Sequence, residues 1–288
     1  MKHYAIIIAM ILMSNFLYAQ DRIKALSKIH YEFKHIDDTK QPDNPYMEDL
    51  VVLMSKDISL QKSLTMETVE NAINDMIYNP KENEKGVVVF QTPKIDKDAS
   101  SYEYLNDLGH KKFAIFNNIY DTYYAIDQEF PQIAWELLSD QKTIGGYQCQ
   151  SAKGKWGGRT YLAWFTTELP MSFGPWKLAG LPGLILEASD EKNEVSWSYA
   201  GFETITDDTE GLISYPKNAI NVTQSKFDKL YEALKKNPEA ALKAAKAASP
   251  SGQIMLTNMY ITGFSSGKHK KQNFKEKVIN NPIELPGK

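Results

Sequence analysis

The sequence contains a single cysteine, Cys149, among its 288 residues. That excludes an intrachain disulfide, so the fold must hold by packing and hydrogen bonding alone. It also excludes lipoprotein processing, which needs a cysteine directly after an N-terminal apolar run. Neither sign of charge is in excess, with 33 Lys and Arg against 36 Asp and Glu. Nothing global therefore attracts a polyanion, and no interleaving of aromatic and basic residues points to nucleic acid. Past the first twenty residues, no apolar run approaches the roughly 20 residues that a membrane-spanning helix needs. Histidine is scarce: outside the first stretch there are only His30, His35, His110 and His269, without H-x-x-H or H-E-x-x-H spacing. No metal site is expected on that count, and His35 with Asp37 and Asp38 reads as a solvated strand end. G-x-S-x-G and Gly-rich phosphate loops are missing too, so no cofactor and no catalytic residue are assigned.

The N-terminal stretch carries its own message. Lys2 is followed by the apolar run Ala5 to Met13, and Leu17-Tyr18-Ala19 offers a small residue at the place a signal peptidase cuts. The expectation is a signal peptide over residues 1–19 and an exported mature chain, periplasmic or secreted and without a membrane anchor.

The mature sequence reads mostly as strands. Ile29, Tyr31 and Phe33 alternate with polar neighbours, as a half-buried strand requires, and a second strand falls near Leu50 to Ser55. Over Thr65 to Ile77 the period changes to that of a helix, with Thr65 as its N-cap and Pro80 as its stop. Further strands are predicted near Val87–Gln91, Lys112–Phe116, Tyr120–Ile126, Ile133–Leu138, Thr143–Ala152, Thr160–Thr166, Gly183–Ala188 and Glu194–Phe202. Several of the links are too short for anything but antiparallel neighbours. The fold class predicted is therefore α+β, predominantly β: a large curved antiparallel meander sheet or partly closed barrel with a few short helices. Helical spacing returns over Thr223 to Lys236 and Pro238 to Ala248, followed by a strand at Ile254–Ile261 and a lysine cluster over Lys268 to Lys277. Residues 20–288 are read as one domain with a helical insertion near 223–248.

The most individual stretch is Gly145 to Asp190. It reads as a hairpin, then a loop rich in Gly, Pro and Trp, then a strand. Leu181-Pro182-Gly183-Leu184 suits a type II turn, with Pro182 presetting φ and Gly183 supplying a positive one. Met171, Phe173, Trp176, Leu178, Leu181 and Leu184 make this loop apolar, whereas connecting loops are ordinarily polar and exposed. It should pack onto something. Within this stretch Gly180-Leu181-Pro182-Gly183-Leu184-Ile185 resembles the hexapeptide that names the GLPGLI family, exported proteins found mainly in Bacteroidota. The likeness extends to the GGYQCQ start of the hairpin, to Gly158, Arg159, Tyr161 and Ala163 to Thr166, to Gly174 to Lys177, and to Asp190. It also takes in the early YEFKH strand and the terminal Asn-Pro-Ile-Glu-Leu. Ser151 departs from it, standing where many relatives carry lysine. The resemblance implies a signal peptide and a β-rich body, and no activity.

Two functions follow as expectations. The first is a non-enzymatic binding or accessory protein of the cell envelope, using an apolar groove of the curved sheet lined by Arg159, Trp164, Trp176, Leu181, Pro182 and Gly183. Its partner would be an apolar small molecule or an envelope protein. The alternative is a periplasmic hydrolase acting on peptide or glycan. Cys149 alternates with Gln148 and Gln150 and reads as a buried free thiol within a strand.

Overall fold

The computed structural model describes residues 23–79, 97–119, 122–206, 211–213, 216, 218–237 and 279–285. The predicted signal peptide, the strands near 87–91 and 254–261, the helix over 238–248 and the lysine cluster lie outside the described residues.

Twelve strands form one sheet, and the order of its strands explains its shape. The chain enters the sheet near its middle with β2 (Ser27–His35), after the short β1 (Ile23–Lys24). From there it steps outward through β3 (Tyr46–Met54), β4 (Ile58–Ser63), β5 (Tyr102–Asp107), β6 (Lys112–Ile119) and β7 (Thr122–Gln128). It then crosses to the opposite edge with β8 (Glu136–Ile144). The return inward runs through β9 (Tyr147–Trp156), β10 (Arg159–Thr166), β11 (Leu184–Asp190) and β12 (Val195–Thr204), and β12 pairs antiparallel with β2. Two meanders are thus joined at the centre. The short β13 (Leu212–Ile213) pairs with β1, while β14 (Ile220–Val222) lies parallel to β7. The last pairing is a departure from the purely antiparallel sheet predicted.

The crossing from β7 to β8 decides the curvature. Only residues 129–135 separate Gln128 from Glu136. A fully extended link of that length reaches at most about 30 Å. In a flat sheet β7 and β8, second and last in the order, would stand about 48 Å apart at the usual spacing of neighbouring strands. The sheet must therefore curl until its two flanks approach, and it stays open as a deep trough rather than closing into a barrel.

Local sequence explains the elements. Helix α1 (Leu64–Tyr78) starts at Ser63, whose hydroxyl accepts from the Met66 N–H. The cap is Ser63 rather than the predicted Thr65, whose hydroxyl instead meets the Asp49 amide. Helix α2 (Gln224–Lys236) falls where helical spacing was read and is capped by Thr223. The strand predicted over Thr143–Ala152 divides in two at Gly145 and Gly146, both at positive φ (58° and 92°), which form a two-residue hairpin loop. Likewise the strand predicted from Ile133 begins only at Glu136, because the preceding residues are used up by the crossing. Ile133 and Trp135 pack so closely over β9 that a Cβ on Gly154 would meet Ile133 at 2.6 Å and Trp135 at 2.7 Å.

The core fills the trough. Ile29, Tyr31 and Phe33 from β2 meet Leu50, Val52 and Met54 from β3 and the inward residues of β10, β11 and β12. A smaller apolar layer on the outer side joins Leu60, Leu105, Ala114 and Ala125 to Ala25 and Ile213.

Candidate functional site

Between β10 and β11, residues 167–183 dip into the trough instead of running over the surface. Phe173, Trp176, Leu178 and Leu181 are buried there. Trp176 and Leu181, predicted to line a groove, thus belong to the core. The indole of Trp176 stacks on Trp197, with ring centroids 6.0 Å apart, and Trp197 stacks in turn on Phe33 at 5.2 Å. Trp176 takes a left-handed φ of 54° in the turn closed by the Leu178 N–H to Pro175 carbonyl bond. Its own N–H donates to the Gln61 side chain at 2.6 Å. That partner rationalises an inward-facing glutamine on β4, since a buried N–H without an acceptor is costly.

The other predicted site residues part company. Trp164 alternates along β10 with the buried Ala163 and Phe165 and so takes the other face, where the Lys142 ammonium sits 4.4 Å from its ring centroid. From there it packs, half-buried, against the margin of the main core cluster. Pro182 is exposed and Gly183 buried. The positive φ predicted for Gly183 is not there; among the glycines of this loop Gly180 carries it, at 93°. Gly183 is required for a different reason. A Cβ at this position would lie 2.0 Å from the Thr166 carbonyl oxygen. Loop and strand approach too closely for any side chain.

Arg159 is the predicted residue around which most polar chemistry gathers. Its side chain is 2% exposed. Nη1 donates to Asp190 at 2.6 Å and to Glu194 at 3.1 Å, so two carboxylates hold the guanidinium from one side. From the other side arrives a segment far away in sequence, residues 279–285. Nη2 donates to the Asn281 side-chain oxygen (2.6 Å) and to the Pro282 carbonyl (2.8 Å), and Nε donates to the Ile283 carbonyl (3.0 Å). The planar, five-donor guanidinium suits such a split engagement.

The same segment explains the triad of His35, Asp37 and Asp38. These side chains are buried rather than solvated, which corrects the sequence reading. The Asp37 carbonyl accepts from the Asn280 and Asn281 N–H groups, and Asp38 Oδ1 accepts from Asn280 Nδ2 at 2.6 Å. The backbone of Lys40 and the side chains of Gln41 and Asn280 hold the Asp38 carboxyl below its usual range. The His35 ring donates to the Asn281 carbonyl. Among the described residues, no group of His, Cys, Asp and Glu is arranged to hold a metal ion.

Beside this clamp, Lys177 is buried with its ammonium paired to Glu284 of the same segment. Aromatic rings surround it: Phe113 and Trp176 at 5.5 Å and Trp156 at 5.9 Å. These rings come from β6, β9 and the loop, and Gln128 of β7 also accepts from Lys177 at 3.4 Å. One lysine thereby ties together both flanks of the trough. Sequence reasoning missed Lys177 and Glu284, though both lie within the motifs that carry the family resemblance.

Two further groups matter chemically. Glu48 is buried among Tyr46, Ser63 and Ser100, and burial pushes its carboxyl above the ordinary glutamate range. Cys149 is a buried free thiol, as its strand position implied, and burial raises its pKa.

The class these features define is a β-rich protein built on one open, curled sheet. A family model described as a protein of unknown function (Porph_ging) matches residues 157–187, the stretch from the glycine turn before Arg159 into β11. No curated protein matches the chain. Among solved structures, the fold is similar to PNGF-II in its P21 crystal form, with 14% identity and a TM-score of 0.48 over 72% of this chain and 33% of that one. The C2 form gives the same identity and TM-score over 70% of this chain and 32% of that one. The chain thus spans about a third of the length of those proteins. No helix among the described residues is long and apolar enough to cross a membrane.

Proposed function

We propose that this is an exported protein of the cell envelope, of the GLPGLI type, that acts as a non-enzymatic binding or accessory protein. The observation that supports the binding role is the Arg159 clamp. It grips an extended stretch of chain that is outside any β-ladder, through side-chain contacts to amide and carbonyl groups. Groups placed in this way on rigid strands recognise particular partners, because every missing contact leaves a buried polar group unpaired. The export reading is supported by the Lys2 to Ala19 sequence and by the family resemblance.

The test is a photo-crosslinking residue placed at exposed Lys40, beside the clamp, in the protein expressed in its own envelope. A discrete adduct with an envelope component or small molecule, lost on Arg159→Met, is the expected result. A competing reading is a hydrolase of peptide or glycan. The observation favouring it is the raised carboxyl of Glu48 next to the Tyr46 hydroxyl, 3.0 Å away. Turnover of a peptide or glycan by the purified mature chain, abolished by Glu48→Gln, would overturn the binding reading.

A further inference from the structure

Part of the wall that holds residues 279–285 is fixed by contacts within the sheet and its turns. Arg159 is positioned by Asp190 and Glu194. Asp190 is fixed in turn by the Glu194 and Val195 N–H groups, at 2.7 and 3.1 Å. On the turn before Arg159, Gly157 and Gly158 adopt positive φ, and a Cβ on either would press against Glu284 or Leu285. The result is a slot with a glycine floor and a charged anchor.

The occupant is bound the way a peptide ligand is bound. Its contacts are read by its own side chains. Asn280 Oδ1 accepts from the Thr39 N–H (2.9 Å) and hydroxyl (3.0 Å), and its amide donates to Asp38. Asn281 donates to the Ile36 carbonyl (2.7 Å) and Glu194 (3.0 Å) while accepting from Arg159. Pro282 has no N–H to satisfy and offers its carbonyl to Arg159. Glu284 pairs with Lys177, and the Leu285 N–H donates to the Gly157 carbonyl at 2.8 Å. Of this segment only Asn281 is buried and Ile283 alone packs against the main core, so most of the hold is polar. An element with little buried apolar surface belongs to the low end of a protein's local stability and can open without global unfolding.

We propose that the Arg159 slot is a peptide-recognition site for an extended Asn-Asn-Pro-x-Glu segment, filled in the monomer by residues 280–284 and open to the same segment of a second copy of the chain. The complementarity is already realised in cis, and a second copy carries the identical sequence. Exchange of identical elements between protomers makes no new kind of contact. The proposal rests on the binding reading above and names its ligand.

The experiment uses the full mature chain and a fluorescein-labelled peptide of residues 279–286. Replacing Asn280 and Asn281 of the chain's own segment by alanine weakens the cis occupant and leaves the slot intact. That variant should bind the peptide saturably, and the native chain about tenfold more weakly or worse, because its own segment competes. Binding should vanish for a peptide with alanine at the Asn281 position. A folded variant that binds no peptide overturns the site. Hydrogen exchange on the native chain guards against a variant that fails to fold. The Asn280, Asn281 and Leu285 amides should exchange together and faster than those of β2, β10 and β12; exchange only along with the core overturns the proposal. For the source, two differently tagged copies are mixed at rising concentration. Mixed dimers that free peptide dissolves support the second copy, whereas a peptide-binding chain that stays monomeric overturns that occupant. Failure here leaves the binding or accessory reading standing, since the crosslinking test of that reading does not depend on this peptide.

Discussion

Trp176 and Trp197 lie nearly parallel, 15° between ring planes, although one sits in a loop and the other in a central strand. This contact fastens the loop to the floor of the trough, and Phe33 and Tyr161 extend the cluster on either side. Trp197→Ala removes the middle member of the stack. A loss of about 3–5 kcal/mol of stability is expected, the usual cost of emptying so large a buried volume. Urea unfolding followed by circular dichroism measures it. A loss below about 1 kcal/mol would mean that the loop does not depend on the stack.

Gly180 and Gly183 separate two reasons for needing glycine. Gly180 has positive φ and open space around its absent side chain. Gly180→Ala should therefore cost about 1 kcal/mol, from backbone strain alone. Gly183→Ala drives a methyl group into the Thr166 carbonyl and should cost about 2–3 kcal/mol or more, since neither backbone can yield without breaking the β10–β11 pairing. Thermal melts of the two variants side by side give the order. The reverse order would return Gly183 to the role its turn sequence suggested.

Arg159→Met leaves Asp190 buried without its cation, and such a change destabilises by about 3–5 kcal/mol. The double variant Arg159→Met with Asp190→Asn should recover part of that loss, because the stranded charge is gone. Denaturant titrations of the two single variants and the double variant form the cycle. Additive losses would show that the pair is not coupled.

Glu48 gives a pH dependence with a defined sign. Its folded pKa lies above its unfolded one, chiefly through burial, which outweighs the hydrogen bonds from Ser63, Tyr46 and the Ser100 N–H. Folding therefore favours the protonated form. The contribution is fully present below the ordinary glutamate range and is lost as pH rises through the folded value. Glu48→Gln should flatten the decline in stability between acid and neutral pH. Melting temperatures across that range test it, and an unchanged slope for the variant would remove Glu48 as its source.

How much of this was legible in the sequence depends on what each feature rests upon. Strands such as Ile29-Tyr31-Phe33 and Val195-Trp197 announce themselves because their buried faces are apolar and alternate. So does the apolar loop, whose Trp176 and Leu178 had to pack somewhere. The inward side of β4 was illegible, since Ser59, Gln61 and Ser63 face the interior as polar residues, Gln61 and Ser63 with specific partners. Gly183 was recognised as necessary but for the wrong cause: a turn signature encodes local φ, whereas the approach of Thr166 is a tertiary fact. Arg159 was singled out as a binding residue, yet no local pattern reveals that its partner is Asn281, 122 residues away. Curvature was expected of so large a sheet, but its extent was not legible. It follows from a short link only once the edge positions of β7 and β8 are known.

The central pairing of β2 with β12 has a consequence for how the chain reaches this state. Ser27 finds its partner Thr204 only after the whole of both meanders has been made. Each meander can zip locally, hairpin by hairpin, but neither can bury its open flank until the two halves meet. Sheets joined through contacts so distant in sequence fold slowly, since the chain must give up its freedom before the contacts reward it. Among the described residues, His35 and Asn281, 246 residues apart, form one of the longest of these closures. The last step in folding should therefore be the arrival of residues 279–285, and a sheet completed before that arrival would stand with the slot beside Arg159 still empty.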